Sequence, residues 1–402
     1  MAAVKFGIDT DNIQRIVDTT RNISVLGDDL SFIAVRERDR TKHVHRLHPY
    51  LGKFIPQLVE VFLKKYFKPG DTILDPFAGS GTTLVEANVL GINSVGVELS
   101  PFNVLIQNAK VRKYELILLE AEIRDALQKT ILFSKNAFGG NGTGQLFKAT
   151  LELEESKSEY LTTWFGKRTL AELIFFRQII PNYQCADVLK VILSRAARSV
   201  RLITHFDLAR PKAPTIGPYW CIKHNRTCEP IQEALKYIER YSLDTIKRLK
   251  EFDSLRTPAT ILVKQGDGRK IKLPKGTKLD GIITSPPYVG IIDYHEQHRY
   301  AYELFNIKRQ DELEIGPATK GQGRNAKEEY TVGISAVFQN FNKYLRKGAK
   351  VFIVANDKFG LYNRIGEECG YTLVDVFKRP VLMRTERDEN KYFESIFYFE
   401  RN

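Results

Sequence analysis

Asp75-Pro76-Phe77-Ala78-Gly79-Ser80-Gly81-Thr82-Thr83 follows a short apolar run, Thr72–Asp75, and leads into helical periodicity over Thr82–Leu90. A strand that ends in a glycine-rich turn and opens a helix is half of a βαβ unit. In an open α/β sheet, the crevice outside the carboxyl end of such a strand is where ligands bind. Gly79 and Gly81 remove the side chains that would block a ligand lying on the backbone, and they permit the sharp turn.

Working outward, Ser94–Glu98 reads as a second strand, after which Pro101 opens another helix, a position where proline costs nothing. Further strands are predicted at Ala259–Asp267, Leu279–Ser285, Lys350–Asn356, Thr372–Phe377 and Glu394–Phe399. Short apolar runs alternating with helical patterns predict a doubly wound, mostly parallel α/β sheet of seven strands, Rossmann-like and covered on both faces. Residues 114–254 differ. Tyr114–Phe133, Tyr160–Ile180, Ala186–Leu202 and Pro230–Phe252 have helical periodicity, which predicts a large helical insertion between the second and third strands. The expected organisation is an extension over 1–44, a catalytic domain over 45–113 and 255–402, and the insertion over 114–254. The Gly139–Gly144 stretch has no preceding strand and no following Lys-Ser/Thr, so it reads as a linker and not a phosphate loop. The polar run Lys320–Lys327 reads as a mobile loop.

Three strands end in acid: Asp75 in the first, Glu98 in the second, and Asp267 in the Gln265-Gly266-Asp267-Gly268 segment of the third. A carboxylate at the end of the second strand accepts ribose hydroxyls, as one does in dinucleotide folds. Yet no Gly-x-Gly-x-x-Gly is present, and Asp75 would repel a pyrophosphate. It suits a cationic ligand such as the ammonium of a methionine moiety, and Asp267 is placed to reach an adenine amino group. Three acidic strand ends around one glycine turn predict S-adenosylmethionine as the cofactor.

The fourth strand runs into Ser285-Pro286-Pro287-Tyr288. Two prolines fix their own φ and hold the preceding residues extended, so this loop is rigid and rich in acceptors. An exocyclic amine on a base is a poor nucleophile because its lone pair is delocalised into the ring. Acceptors that bind both amine hydrogens free that lone pair. The Ser285 hydroxyl and the Pro286 carbonyl suit those parts, and Tyr288 suits stacking on the base.

Together these segments resemble the amino-group (N4-cytosine and N6-adenine) DNA methyltransferases of restriction–modification systems. In that family an Asp-Pro-Phe-x-Gly-Ser-Gly segment binds S-adenosylmethionine, and a Ser/Asp/Asn-Pro-Pro-Tyr/Phe loop is catalytic. The resemblance extends to His48-Pro49-Tyr50 with Lys53-Phe54-Ile55-Pro56, similar to the family's segment packing on the methionine end of the cofactor. Gly266-Asp267 and Asp293-Tyr294 belong to the same likeness. It implies a cofactor site over Lys53–Pro56, Asp75–Thr82, Glu98 and Asp267, flipping of the target base out of duplex DNA, and direct transfer without a covalent enzyme intermediate. It also implies a cognate restriction endonuclease acting separately. No Pro-Cys dipeptide is present to attack a pyrimidine ring carbon, which argues against C5-cytosine chemistry. Serine at position 285 is the form typical of cytosine-N4 enzymes in the family. N6-adenine chemistry is the first alternative, with RNA guanine-N2 methylation and a non-catalytic nucleic-acid-binding relative behind it.

A net charge of +13 over 402 residues accords with a polyanionic partner, because basic surfaces release counterions from nucleic acid. Within one helical pattern Arg195, Arg198 and Arg201 are spaced to share a face, followed by Arg210 and Lys212, so this segment is the expected phosphate-binding stripe. No apolar run approaches the roughly 20 residues needed to span a bilayer, and residues 1–21 lack the apolar core of a signal peptide, so the chain is expected in the cytosol. Four scattered cysteines argue against a disulfide framework. Cys221, His224 and Cys228 are spaced like metal ligands, but zinc wants four. The fourth is missing unless Cys185 or a distant histidine joins, so the expectation is a polar loop without metal.

Overall fold

The computed structural model describes residues 30–49, 52, 55–139, 158–205, 211–381 and 392–402. Helix α1 (Pro56–Tyr66) leads to β1 (Thr72–Asp75), α2 (Thr82–Val89), β2 (Asn93–Glu98) and α3 (Pro101–Val111). The insertion follows as α4 (Leu116–Phe138), α5 (Glu159–Trp164), α6 (Lys167–Ile179), α7 (Ala186–Ser199), a hairpin of β3 (Tyr219–Cys221) and β4 (Arg226–Cys228), and α8 (Leu235–Asp253). The sheet resumes with β5 (Ile261–Gln265) and β6 (Leu279–Thr284), then α9 (Arg299–Phe305), α10 (Arg324–Asn342), β7 (Leu345–Ala355), α11 (Tyr362–Glu368), β8 (Tyr371–Val381) and β9 (Tyr392–Arg401).

Seven strands form one sheet in the order β5-β2-β1-β6-β7-β9-β8. All pairings are parallel except those of β9, which runs antiparallel between β7 and β8. The chain first builds from β1 outward through β2 to β5, then returns to β1's other side with β6. That reversal is a topological switch point, where doubly wound sheets bind ligands. The predicted architecture is present, and the antiparallel β9 sets it apart from the dinucleotide-binding order.

Alternation along the central strands explains the layers. Leu74, Ile282, Val351 and Ile353 face Ile334, Val337 and Phe338 of α10 and Ile365 of α11. Ile73, Ile283, Phe352 and Val354 face Leu58, Val59, Phe62 and Leu63 of α1. Both sets are buried, which is why these strands are apolar throughout.

The insertion is helical as expected, with two differences. The Tyr160–Ile180 pattern is broken into α5 and α6 at Phe165-Gly166, and a hairpin occupies Tyr219–Cys228. Its helices share one hydrophobic cluster with the sheet layer: Leu119, Ile123, Leu173 and Val188 pack with Phe102 and Ile106 of α3 and with Leu84 and Val85 of α2. The Lys320–Lys327 expectation is corrected. Helix α10 already begins at Arg324, and Gln322 donates its side-chain amide to the Val289 carbonyl at 3.0 Å. Gly290 lies so close that a Cβ there would sit 2.3 Å from the Gly321 carbonyl oxygen. A polar composition concealed a segment that packs against Val289 and Gly290, directly after the Ser285–Tyr288 loop. Of the Gly139–Gly144 stretch, 140–144 lie outside the described residues.

Candidate active site

The carboxyl ends of β1 and β6 meet at the switch point, in register from Ile73–Gly281 and Leu74–Ile282. A cleft of about 890 Å³, counted out to its open mouth, lies over them. The glycine turn supplies one wall through Pro76, Phe77, Ala78, Gly79, Ser80 and Thr82. Glu98, Gly266 and Asp267 line another side, and Ser285 and Pro287 bring in the proline loop. Residues 200 positions apart in sequence thus share one crevice.

Gly79 and Gly81 adopt φ of 49° and 81°, the left-handed region expected of the turn. The turn is braced from α3: Gln107 donates to the Gly79 carbonyl at 2.8 Å, and Lys110 donates to the Ser80 carbonyl at 2.5 Å. A Cβ on Gly81 would meet Gln107 Cγ at 3.0 Å. The Ser80 hydroxyl is buried and has no hydrogen-bond partner among the described residues. An orphaned donor in the wall of a cleft is a vacancy for a polar ligand group.

Glu98 accepts the Gly79 N–H at 2.7 Å and the Ser100 N–H at 2.8 Å. Burial pushes its carboxyl up to about 7, against the pull of those two amides. The Asn103 side chain also bonds this carboxylate, which offers about four lone-pair positions, so about one remains for a ligand hydroxyl. Asp267 lines the cleft, but Arg269 grips both its oxygens at 2.8 and 3.0 Å. Burial raises the Asp267 carboxyl and the Arg269 contacts outweigh it, leaving it below the usual carboxylate value.

Asp75 departs from expectation. It is buried and does not line the cleft. Thr83 donates its hydroxyl to one carboxylate oxygen at 2.7 Å, and Thr284 donates to the other at 2.6 Å, with the Phe77 N–H at 3.2 Å. Burial holds its carboxyl up at about 6 despite these bonds. Asp75 is therefore a strut joining β1, α2 and β6, and not an open site for an ammonium. The sequence reading missed this because both threonines are needed to see it.

The proline loop is held at two points. Tyr330 donates to the Pro287 carbonyl at 2.8 Å, and Tyr288 donates to Glu394 at 2.9 Å. Glu394 is itself paired with the buried Arg379 at 2.8 Å. Among the described residues no side chain hydrogen-bonds the Ser285 hydroxyl or the Pro286 carbonyl.

Of the described residues of the His48–Pro56 segment, Gly52 lines the cleft. A Cβ there would lie 3.3 Å from Ile292 and 3.4 Å from the Tyr294 hydroxyl. Lys53 and Phe54 lie outside the described residues, and Ile55 and Pro56 start α1 without lining the cleft. His48 is buried, its Nδ1 2.8 Å from the Pro49 carbonyl and its Nε2 3.2 Å from the Tyr300 hydroxyl. Burial lowers it well below the ordinary histidine value. Sequence reasoning missed His295 and Glu314, which also line the cleft. Glu314 accepts the Tyr294 and His295 backbone N–H groups at 3.2 and 2.8 Å and pairs with His295 Nδ1. The neighbouring Asp293-Tyr294 was the one signal pointing there.

The arginine stripe is corrected. Arg195 is buried, paired with Asp244 of α8 at 2.7 Å and lying 4.1 Å from the Tyr241 ring centroid. Arg201 is buried 5.0 Å from the Tyr300 ring centroid. Arg198 is half-buried, with Tyr300 and Arg201 as neighbours. Helix α7 is apolar on most of its circumference, so these guanidinium groups serve packing between helices. Arg210 lies outside the described residues, and Lys212 is exposed. The metal expectation is also altered, because His205 stands beside Cys221, His224 and Cys228. Among the described residues no helix is long and apolar enough to cross a membrane.

A sheet of this order, with Glu98 and a glycine turn on one side of its switch point and a proline loop on the other, defines an α/β methyltransferase that uses S-adenosylmethionine. Comparison with known proteins narrows the class. A family model described as DNA methylase matches residues 14–108. The type II methyltransferase M.MjaII of Methanocaldococcus jannaschii is 45% identical over 436 aligned residues, covering 92% of this chain and 82% of that one. The type II methyltransferase M.MvaI of Kocuria varians is 26% identical, covering 76% of this chain and 66% of that one. Among solved structures, the rRNA methyltransferase aviRa of Streptomyces viridochromogenes is similar at a TM-score of 0.32 and 10% identity, covering 88% of each chain. The chain belongs to the amino-group methyltransferases of type II restriction–modification systems.

Proposed function

We propose that this enzyme methylates N4 of cytosine in double-stranded DNA, protecting it from a separate cognate endonuclease. The observation that carries the reading is a pair of acceptors, the Ser285 hydroxyl and the Pro286 carbonyl, that no described side chain takes up, on a loop held at the Pro287 carbonyl and the Tyr288 hydroxyl. S-adenosylmethionine, when bound, supplies the electrophilic methyl group. Glu98 accepts a ribose hydroxyl through its remaining acceptor position, the Ser80 hydroxyl meets a polar group of the cofactor, and the glycine turn lets it approach the backbone. Asp267, already held by Arg269, closes the adenine side. Ser285 and Pro286 accept the two amine hydrogens of a flipped cytosine, and the Tyr288 ring flanks the base. The amine nitrogen would bond to the methyl carbon as the carbon–sulfur bond breaks and S-adenosylhomocysteine leaves, and the nitrogen's surplus proton would pass to solvent.

The DNA-facing surface of the insertion is placed at the exposed Lys212, Lys223 and Arg226 in and before the β3–β4 hairpin, with Trp220 63% exposed beside them. Cytosine is preferred to adenine because Ser285 presents a neutral hydroxyl where the adenine-N6 enzymes of the family typically carry aspartate or asparagine. Digestion of DNA from a methylation-free host expressing the enzyme, with separation of nucleosides by mass, should show N4-methylcytosine. N6-methyladenine alone would overturn the base assignment and leave the reaction class intact.

A further inference from the structure

The β3–β4 hairpin is a poor candidate for a stable element on its own. Each strand has three residues, and the pair forms a separate two-stranded sheet. Two-stranded hairpins are marginal in water without a hydrophobic face to cover them. Here Trp220 and Ile222 are 63% and 75% exposed, so little apolar burial holds the hairpin. Something else must staple it.

Four side chains converge at its inner side. Cys221 ends β3, His224 lies in the turn that Asn225 closes at φ 49°, Cys228 ends β4, and His205 comes from the segment after α7. Their ligand atoms all lie within 4.8 Å of one another. The sulfur–nitrogen separations are 3.6 Å for Cys221 to His205, 3.6 Å for Cys221 to His224 and 3.5 Å for Cys228 to His224, each to Nδ1. A tetrahedral zinc with bonds of about 2.3 Å to sulfur and about 2.0 Å to nitrogen sets its sulfur and nitrogen ligands about 3.5 Å apart. The observed spacing matches this geometry.

We infer that His205, Cys221, His224 and Cys228 form a structural zinc site that fastens the hairpin to the end of α7. Two thiolates and two neutral imidazoles cancel the charge of a divalent ion, and four protein ligands leave no open position for a catalytic water. The Tyr219 hydroxyl accepts the His205 backbone N–H at 2.9 Å, holding that histidine against the hairpin. The same hydroxyl lies 2.9 Å from His205 Nδ1, a nitrogen whose lone pair the metal takes when present. Two other clusters are weaker claimants. His43, His45 and Glu86 offer only three ligands, and Lys42 already sits 2.7 Å from Glu86. His295, Asp311 and Glu314 belong to the active-site cleft and its rim, where Arg309 holds Asp311.

The test uses the full-length enzyme purified without chelator. Elemental analysis should find about one zinc per chain, and a thiol-blocking mercurial should release it to a metal-sensitive dye. The double variant Cys221→Ser/Cys228→Ser should carry less than about a tenth of an equivalent, and Cys185→Ser should keep the full one. Should the double variant fail to fold, cobalt added to metal-stripped wild-type enzyme decides the matter. Sulfur-to-cobalt charge transfer and strong tetrahedral visible bands support the site. Weak octahedral bands, or a full equivalent of zinc retained by the double variant, overturn it.

Discussion

Thr284 donates its hydroxyl to Asp75 at 2.6 Å, joining the last residue of the strand before the proline loop to the last residue of the strand before the glycine turn. The two halves of the active site are therefore referenced to each other by one buried bond at the switch point. Removing it leaves that carboxylate oxygen with only the longer bond from the Phe77 N–H at 3.2 Å. Thr284→Val should cost about 1.5–3 kcal/mol of stability, the range for one hydrogen bond to a charged group, and Thr284→Ser should recover most of it. Urea unfolding checks this, and wild-type stability in the valine variant would show that the bond holds nothing.

Glu98 carries a pH prediction. Its carboxyl is held up at about 7 by burial, so near neutrality the cofactor-free site is partly protonated. Ribose hydroxyls donate to the ionised form, and binding must expel a proton below that pH. Affinity for S-adenosylhomocysteine should weaken as pH falls from 8 to 6, approaching about tenfold per unit at the acid end, the linkage expected when one proton is released. Glu98→Gln should bind more weakly and with a flat profile. Calorimetric titration across that range tests it, and a flat wild-type profile would refute the role.

Arg195→Ala distinguishes packing from DNA contact. Breaking the pair with Asp244 should cost about 3 kcal/mol, the low end for a buried ion pair, because Arg248 still flanks Asp244 at 3.3 Å. The salt dependence of DNA binding should not change, whereas a lost phosphate contact would lower the log–log slope by about 0.9. A stable variant with a reduced slope would restore the arginine to the DNA surface.

Tyr288 separates tethering from stacking. Tyr288→Phe keeps the ring and loses the bond to Glu394, so turnover should fall by less than about tenfold, as expected for one hydrogen bond. Tyr288→Ala also loses the ring, and stacking worth about 1–3 kcal/mol goes with it. Equal loss in the two variants, measured by methyl transfer from labelled cofactor, would mean the hydroxyl and not the ring matters.

The sheet was legible because its central strands are buried on both faces and so read as apolar runs closed by glycine, proline or acid. The acidic end at Glu98 and the Ser285–Tyr288 loop were legible because local chemistry fixes them. What escaped the sequence depends on partners far along the chain. Asp75 looks like a ligand until Thr83 and Thr284 are placed around it. Arg195 and Arg201 look like a phosphate stripe until Asp244, Tyr241 and Tyr300 close over them. His205 stands 16 residues before Cys221, beyond any usual ligand spacing, and only the fold brings it to the hairpin. Helix α10 begins in a polar run whose composition reads as loop.

The core of the insertion runs without a seam into α2 and α3, the helices that carry and brace the glycine turn. Exchanging residues 114–254 for the corresponding region of a relative with another target sequence would therefore leave Phe102, Ile106 and Leu84 facing foreign side chains. Such chimaeras should lose solubility before they gain a new specificity. If the proposed DNA-facing surface is the one that reads the target, preference should be altered instead by substituting Lys212, Lys223 and Arg226, whose side chains are exposed.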